Sequence, residues 1–423
     1  MARQYFGTDG VRGVVGEELT GDLVERLGRA FARWSSGAEV LVGRDTRGSG
    51  PELEGALASG LAGGGSSVTL GGVLPTPAIA LLAGAAGAVV SASHNPAEYN
   101  GVKLFRDGLK LEDAEEEAIE ALLDTSGQDG PAGSITEAPG LGERYVELVA
   151  ERFGGPLDGL RVVVDCANGA MFDVGPAVFD RLGATITVIG DAPDGTNINA
   201  GCGATDLGLL SRTVAGGEFD LGVAFDGDGD RMLAVDGNGA PVDGDQILAV
   251  LALFLGVDLV AVTQMTNLGF HRLMRERGVR VLTTDVGDRY VLEALRAAGG
   301  VLGGEQSGHV IYLNGHITGD GLAAALLLCR AVVEQKRPLA ELAGAFEPFP
   351  QVMENVPVRS KGLPQAILEE AERINAELGG RGRVLVRPSG TEPVVRVLAE
   401  AETAREAQQL CARIVPLVQR ELG

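Results

Sequence analysis

The chain has 423 residues, 45% of them hydrophobic, more than a single core organises, so two to four domains are expected. A formal net charge of −23 and an aromatic content of 4% leave neither a basic face nor a stacking platform for nucleic acid. The same negative field repels a phosphorylated small molecule at long range, so positive charge that receives one must be concentrated inside a cleft.

Met1 to Gly13 is polar and glycine-rich and lacks the apolar core of a signal peptide. Val40-Leu41-Val42 then leads into Gly43-Arg44-Asp45-Thr46-Arg47, and Val68-Thr69-Leu70 into Gly71 and the Pro75-Thr76-Pro77 turn, with helical periodicity from Leu53 to Leu61. This alternation predicts a layered α/β unit. The Gly/Pro/Ser-rich stretch 126–142 breaks the pattern, and a short helix, Glu143 to Arg152, crosses to the next unit. There the strands are Leu160 to Asp165, Thr185 to Ile189 and Leu221 to Phe225, and Asp236-Gly237-Asn238-Gly239 reads as a hairpin turn. A third unit opens near Asp243 with an apolar helix, continues through strands at 259–262 and 279–282, and includes the helix Gly321 to Val333. Pro348 and Pro350 mark the last boundary. In the final unit Pro364 suits a first helical turn, Ile367, Ala371, Ile374 and Leu378 share a face, and Gly379 ends it. Strands at 383–386 and 394–398 flank a loop, and Thr403 with Glu406 reads as a capping box.

Cys166, Cys202, Cys329 and Cys411 are scattered, with no CxxC pair, as expected of free thiols in a reducing cytoplasm. Four histidines, none clustered with cysteine, argue against a zinc site. The longest apolar run, Ile247 to Val257, is too short to span a bilayer, so a cytoplasmic protein with no membrane partner is expected.

Four segments carry chemistry. Ser91-Ala92-Ser93-His94-Asn95-Pro96 follows a buried apolar run, Ala86 to Val90, and can present the Ser93 hydroxyl at the mouth of an α/β sheet. Alone, such a serine more often only satisfies a turn. Asp226-Gly227-Asp228-Gly229-Asp230-Arg231 sets three carboxylates on alternate residues, which repel one another unless a cation sits among them. An EF-hand is excluded, because its glycine and glutamate positions hold Arg231 and Gly237. Oxygen ligands without histidine favour Mg²⁺, with a phosphate oxygen on Ser93 completing the set. Gly303 to His309, GGEQSGH, offers Glu305 and Ser307 two residues apart, suited to neighbouring sugar hydroxyls or merely to a polar turn. Arg387-Pro388-Ser389-Gly390-Thr391-Glu392-Pro393 combines a guanidinium, two hydroxyls and a backbone-exposing glycine, the parts of a phosphate cradle. Lys103, close after Ser93, is a candidate base if neighbouring cations lower its pKa, and Arg12 lies in the dense FGTDGVRG pattern.

Together these segments resemble the α-D-phosphohexomutase superfamily, and the phosphoglucosamine mutases most closely, in the expected order from Phe6 to the C-terminus. SASHNP, GEQSGH and RPSGTEP stand unaltered, and Asp285 to Tyr290 (DVGDRY), Asn197-Ile198-Asn199 and Cys202 to Thr205 also look like that branch. The chain is somewhat short for it, which places the shortening in surface loops. The resemblance implies an α/β fold of four domains around a central cleft. Three are similar mixed-sheet domains, at 1–142, 143–242 and 243–348, and the fourth is a smaller C-terminal α+β domain at 349–423. It implies Ser93 as phosphate carrier and, with Asp226, Asp228 and Asp230, as part of the Mg²⁺ site. Glu305 and Ser307 become sugar readers, and Arg387, Ser389, Gly390 and Thr391 the phosphate cradle. Lys103 and His309 fall on the general base and acid positions, in an order left open, while Arg12, His94 and Arg231 complete the catalytic set. The implied reaction is reversible conversion of glucosamine 6-phosphate to glucosamine 1-phosphate through phosphorylated Ser93 and glucosamine 1,6-bisphosphate, feeding UDP-N-acetylglucosamine and cell-wall precursors. A monomer or homodimer with a hexosamine phosphate as its partner is expected. The rivals are a phosphomannomutase or phosphoglucomutase, a phosphatase, and a non-catalytic sugar-phosphate sensor.

Overall fold

The structure is a computed structural model and describes residues 4–7, 9–125, 131–360, 362–389 and 393–423. It comprises two compact units, Met1–Met265 with Gly278–Ala345, and Thr266–Arg277 with Phe346–Gly423.

The first unit holds three sheets built to one plan. In the first, strands Val68–Val73, Val40–Arg44 and Ala86–Val90 run parallel, and Tyr99–Arg106 returns antiparallel beside Ala86–Val90. In the second, Thr185–Ile189, Arg161–Asp165 and Leu221–Phe225 are parallel and Met232–Asp236 returns antiparallel. In the third, Arg280–Thr284, Leu259–Thr263 and Leu302–Gly304 are parallel and Val310–Tyr312 returns antiparallel. Parallel strands covered on both faces need continuous apolar runs, and Val162, Val163 and Val164, or Val260, Ala261 and Val262, are fully buried as that requires. The consequence for function lies in the return. The loops carrying Ser93, Asp226 to Asp230, and Glu305 to His309 each join the third parallel strand to the antiparallel one, so the three motifs occupy equivalent positions. Carboxyl ends of parallel strands are where open α/β sheets place ligands.

The second unit is an antiparallel sheet in the order Gln351–Pro357, Val394–Ala401, Gly382–Pro388. Helices Gln365–Leu378 and Ala404–Leu422 pack on it through Ile367, Ala371, Ile374, Ala407, Ile414 and Val418.

Two local expectations change, and one helix makes contacts that the sequence did not announce. The stretch 126–142, read as a break, contains the strand Ile135–Glu137, which adds to the edge of the first sheet parallel to Val68–Val73. Its side chains are exposed, so no burial pattern announced it. Helix Leu268–Glu276 lies inside the stretch expected to form the third domain and packs within the C-terminal unit. There Asn267 exchanges hydrogen bonds with the Phe349 backbone, and Phe270 meets Phe346 edge-on. At the last helix Thr403 Oγ1 accepts from Glu406 N–H, but it also donates to the Glu406 carboxylate, so one side of the expected box is made with the hydroxyl.

Candidate active site

Ser93 follows Ala86–Val90 at a turn where the chain takes a left-handed conformation, φ 52°, which a serine adopts only under constraint. Its hydroxyl donates to Asp226 Oδ2 at 2.6 Å, and His94 Nδ1 lies 3.3 Å from Ser93 Oγ. The aspartate loop comes this close because of its glycines. A Cβ on Gly227 would stand 2.6 Å from Ser93 O, and Gly229, at φ 72°, would drive one into Met171 at 2.4 Å. Asp226, Asp228 and Asp230 are buried, each offering an oxygen within 4.8 Å of the others, the one cluster among the described residues suited to a metal ion. Asp228 Oδ1 and Asp230 Oδ1 are buried with no hydrogen-bond partner in the described structure, as donors reserved for a cation would be. Burial, with Asp228 and Asp230 alongside, pushes the Asp226 carboxyl up to about 8.

Lys103 enters from strand Tyr99–Arg106 and is buried against three carboxylates: Asp228 at 2.7 Å, Asp9 at 3.0 Å and Asp230 at 3.2 Å. The expected lowering of its pKa is reversed. Burial alone would favour the neutral amine, but the three acids outweigh it and hold the ammonium well above the ordinary range. His309, beyond the Glu305 turn, sits with Nδ1 3.8 Å from Asp230 and Nε2 3.4 Å from Asp288. Its pKa rises because those two acids overcome burial. His94 goes the other way, to about 4, since burial adds to the field of Arg231 and Arg12. Arg12 pairs with Asp9, and Arg231 Nε lies 3.9 Å from Asp230 Oδ1. Both arginines keep a buried Nε–H with no hydrogen-bond partner in the described structure.

Glu305 turns inward, accepting from Gly287 N–H at 3.2 Å, whereas Ser307 is exposed at the tip of the turn. The turn is held to the aspartate loop by Met232 N–H donating to Gly308 O at 2.9 Å. Gly308 is required there, at φ 90° with Met232 O only 2.4 Å from where a Cβ would be. In the C-terminal unit, Arg387 lies in strand Gly382–Pro388 and Ser389 is buried just beyond, its N–H donating to Val394 O at 2.9 Å. Gly390 and Thr391 lie outside the described residues.

Three further residues join the site. Lys110 bridges Asp9 at 2.6 Å and Asp288 at 2.5 Å, closing a ring of charge that runs Asp230, His309, Asp288, Lys110, Asp9, Lys103 and back to Asp230. A cavity of about 120 Å³ adjoins it, lined by Lys110, Asp288, Arg289, His309 and Thr318 among others. Asp9 and Asp288 fall inside FGTDGVRG and DVGDRY, motifs conspicuous in the sequence. Lys110, after the tight Asp107-Gly108 turn, carries no such signal.

Models of the phosphoglucomutase/phosphomannomutase family match alpha/beta/alpha domain I at residues 3–129, domain II at 143–239, domain III at 243–349 and the C-terminal domain at 328–417. A phosphoglucosamine mutase of Pelotomaculum thermopropionicum is 46% identical over 98% of this chain and 98% of its own. Another, of Saccharopolyspora erythraea, is 48% identical over 98% and 99%. The chain belongs to the phosphoglucosamine mutase family. It is an enzyme of the phosphohexomutase class. A phosphoglucomutase/phosphomannomutase family protein of Burkholderia thailandensis superposes with a TM-score of 0.86 at 25% identity, over 99% of this chain and 98% of that one. The N-acetylphosphoglucosamine mutase of Aspergillus fumigatus, solved with GlcNAc-6P and magnesium, shares the fold with a TM-score of 0.68 at 19% identity over 99% and 96%. No helix among the described residues is long and apolar enough to cross a membrane.

Proposed function

We propose that the enzyme interconverts glucosamine 6-phosphate and glucosamine 1-phosphate, with Ser93 as the phosphoryl carrier. The observation that carries the reading is the 2.6 Å hydrogen bond from Ser93 Oγ to Asp226, at the edge of a buried trio of aspartates. A hydroxyl at that spot stands beside oxygens that would hold a cation able to offset phosphoryl charge, whereas a structural serine has no need of three carboxylates. The curated relatives, nearly half identical along their whole length, support the hexosamine phosphate as substrate.

In this reading the Ser93 Oγ–P bond breaks as the sugar O1–P bond forms, and the O1 proton passes to a protein base. The 1,6-bisphosphate then reorients, its 6-phosphoryl group returns to Ser93 Oγ, and a proton is delivered to O6. Arg12 and Arg231, each with an unused Nε–H beside the Ser93–His94 turn, bind phosphate oxygens, and His94 stays neutral near pH 7 as an acceptor or donor at Oγ. Lys103 is held as a cation by its carboxylates, and the acids facing His309 favour its protonated form. Lys103 therefore begins as a proton donor, and to accept the sugar proton it must first surrender its own. Asp226, Asp228 and Asp230 would hold Mg²⁺, and their unpaired buried oxygens fit it. When bound, the ion offsets charge on the transferring phosphoryl group. Glu305 reads sugar hydroxyls, with Ser307 beside it, and the Arg387–Thr391 loop holds the non-reacting phosphate. Four free, buried cysteines suit a reducing cytoplasm.

The test is a side-by-side assay of glucosamine, glucose and mannose 6-phosphates with wild-type enzyme and Ser93→Ala. Preference for glucosamine 6-phosphate, abolished in Ser93→Ala, is expected. Preference for another hexose overturns the substrate, steady phosphate release without isomerisation makes the protein a phosphatase, and full turnover in Ser93→Ala removes the carrier.

A further inference from the structure

The segment Gly43 to Arg47 is unused by the chemistry above, yet it holds a fully buried arginine. Arg47 commits every guanidinium N–H. Nε donates to Asp45 Oδ2 at 2.9 Å, Nη1 to the carbonyls of Pro96 and Tyr99, and Nη2 to those of Ser93 at 3.0 Å and Asn95 at 2.7 Å. Three of these acceptors, Ser93, Asn95 and Pro96, belong to the turn that carries Ser93, and Tyr99 opens the strand that follows it. Asp45 completes the device: Oδ1 accepts from Arg47 N–H, and Oδ2 also accepts from Ser91 Oγ at 2.6 Å. Ser91 Oγ in turn accepts from Ser93 N–H at 2.9 Å. Both backbone groups of Ser93 are thereby fixed, one on each side of its left-handed φ. The second α/β segment reinforces it. Asn199 Nδ2 donates to Ser93 O and Asn95 O, at 3.0 and 3.2 Å, while Thr46 Oγ1 reaches Asn168 O at 2.5 Å and Gly48 N–H reaches Gly195 O at 2.8 Å.

We propose that Arg47, with Asp45 and Ser91, is a positioning clamp that holds Ser93 in its constrained turn so that Oγ is aimed at the aspartate trio through both halves of the reaction. The inference rests on Ser93 being the phosphoryl carrier. Asp45 neutralises the guanidinium at 2.9 Å, so the clamp acts by geometry and not by adding charge to the site. A planar fork with five donors can satisfy these carbonyls together, and a lysine ammonium with three cannot. Retaining charge should therefore fail to retain function.

The experiment compares wild type, Arg47→Lys, Ser91→Ala and Ser93→Ala. It reads kcat, KM, melting temperature, and the rate at which a hexose 1,6-bisphosphate phosphorylates Ser93, followed by intact mass. Displacing a reacting atom by about 1 Å costs about 10²-fold, so Arg47→Lys should lose about that much in phosphoserine formation and kcat. Ser91→Ala, which removes the hydroxyl that links Asp45 to Ser93 N–H and leaves the Arg47 contacts in place, should lose about tenfold with KM nearly unchanged, since the sugar contacts are untouched. A purely structural role would lower the melting temperature and the yield of folded enzyme, leaving phosphorylation per folded molecule as in wild type. Where Arg47→Lys does not fold, Ser91→Ala decides. Wild-type phosphorylation rates in the folded variants, with Ser93→Ala inactive, overturn the clamp alone; turnover in Ser93→Ala overturns the carrier on which it rests.

Discussion

Replacing Lys103 with methionine tests the electrostatic design of the site. The ammonium lies 2.7, 3.0 and 3.2 Å from carboxylates of Asp228, Asp9 and Asp230, and its side chain is only 2% exposed. At an effective dielectric of about 20 each contact is worth roughly 5–6 kcal/mol of gross attraction, most of it offset by the desolvation of the ions. Removing the lysine leaves buried acids uncompensated, and breaking a buried pair in this way costs about 3–5 kcal/mol. Thr76, whose hydroxyl donates to Asp228 Oδ2 at 2.6 Å, keeps one acid partly satisfied and favours the lower end. In a unit of this size about 2 °C of melting temperature accompanies each kcal/mol, so Lys103→Met should melt roughly 5–10 °C lower in EDTA. Because the aspartates then carry more unbalanced negative charge, added Mg²⁺ should stabilise the variant by more degrees than wild type. Scanning calorimetry of both proteins across a Mg²⁺ titration reads this. Equal Mg²⁺-induced shifts, or an unchanged melting temperature in EDTA, would refute the reasoning, because the lysine would then not be neutralising the acids.

Gly319→Ala should lower turnover by about 10²-fold with little loss of fold, since a Cβ there would stand 2.1 Å from His309 Nε2 and must displace the ring; steady-state kinetics check it, and near-wild-type kcat counts against His309 acting where it lies. Tyr145→Phe removes the 2.8 Å hydrogen bond from the buried phenol to Asp320, and urea unfolding should show a loss of about 1–2 kcal/mol; no measurable loss would mean that Asp320 is already satisfied by His316 and the helix start it caps. His271, whose buried Nε2 has no partner in the described structure, is pushed down to about 4 by burial and by Arg383 and Arg275. Folded protein thus binds this proton less readily than unfolded chain, so stability of the C-terminal unit should fall between pH 6.5 and about 4, by at most about 2–3 kcal/mol. Denaturant unfolding of wild type and His271→Leu over that range should show a steeper pH slope in wild type; parallel slopes refute it.

Much of the architecture was legible in the residues. Strand 221–225 begins and ends where the apolar run does, because a parallel strand buried on both faces leaves no room for polar interruption. The motif around Asp226 was legible too, since glycine alternating with aspartate has few other uses than to fold carboxylates around a cation. Exposed strand Ile135–Glu137 carried no pattern because neither of its faces is buried.

What sequence determined by itself is the set of motif-bearing loops and the sheets that carry them: periodicity, glycine and proline are local signals, and local physics reads them. Tertiary structure alone decided the charge state of Lys103, because three acids from distant parts of the chain converge on it and their combined field reverses the effect of burial. It also decided that Lys110 and Asp288 complete the ring with His309, and that Arg47 grips the Ser93 turn. Coulomb fields and hydrogen bonds act through space, and no spacing along the chain records which residues, dozens or hundreds of positions apart, will meet.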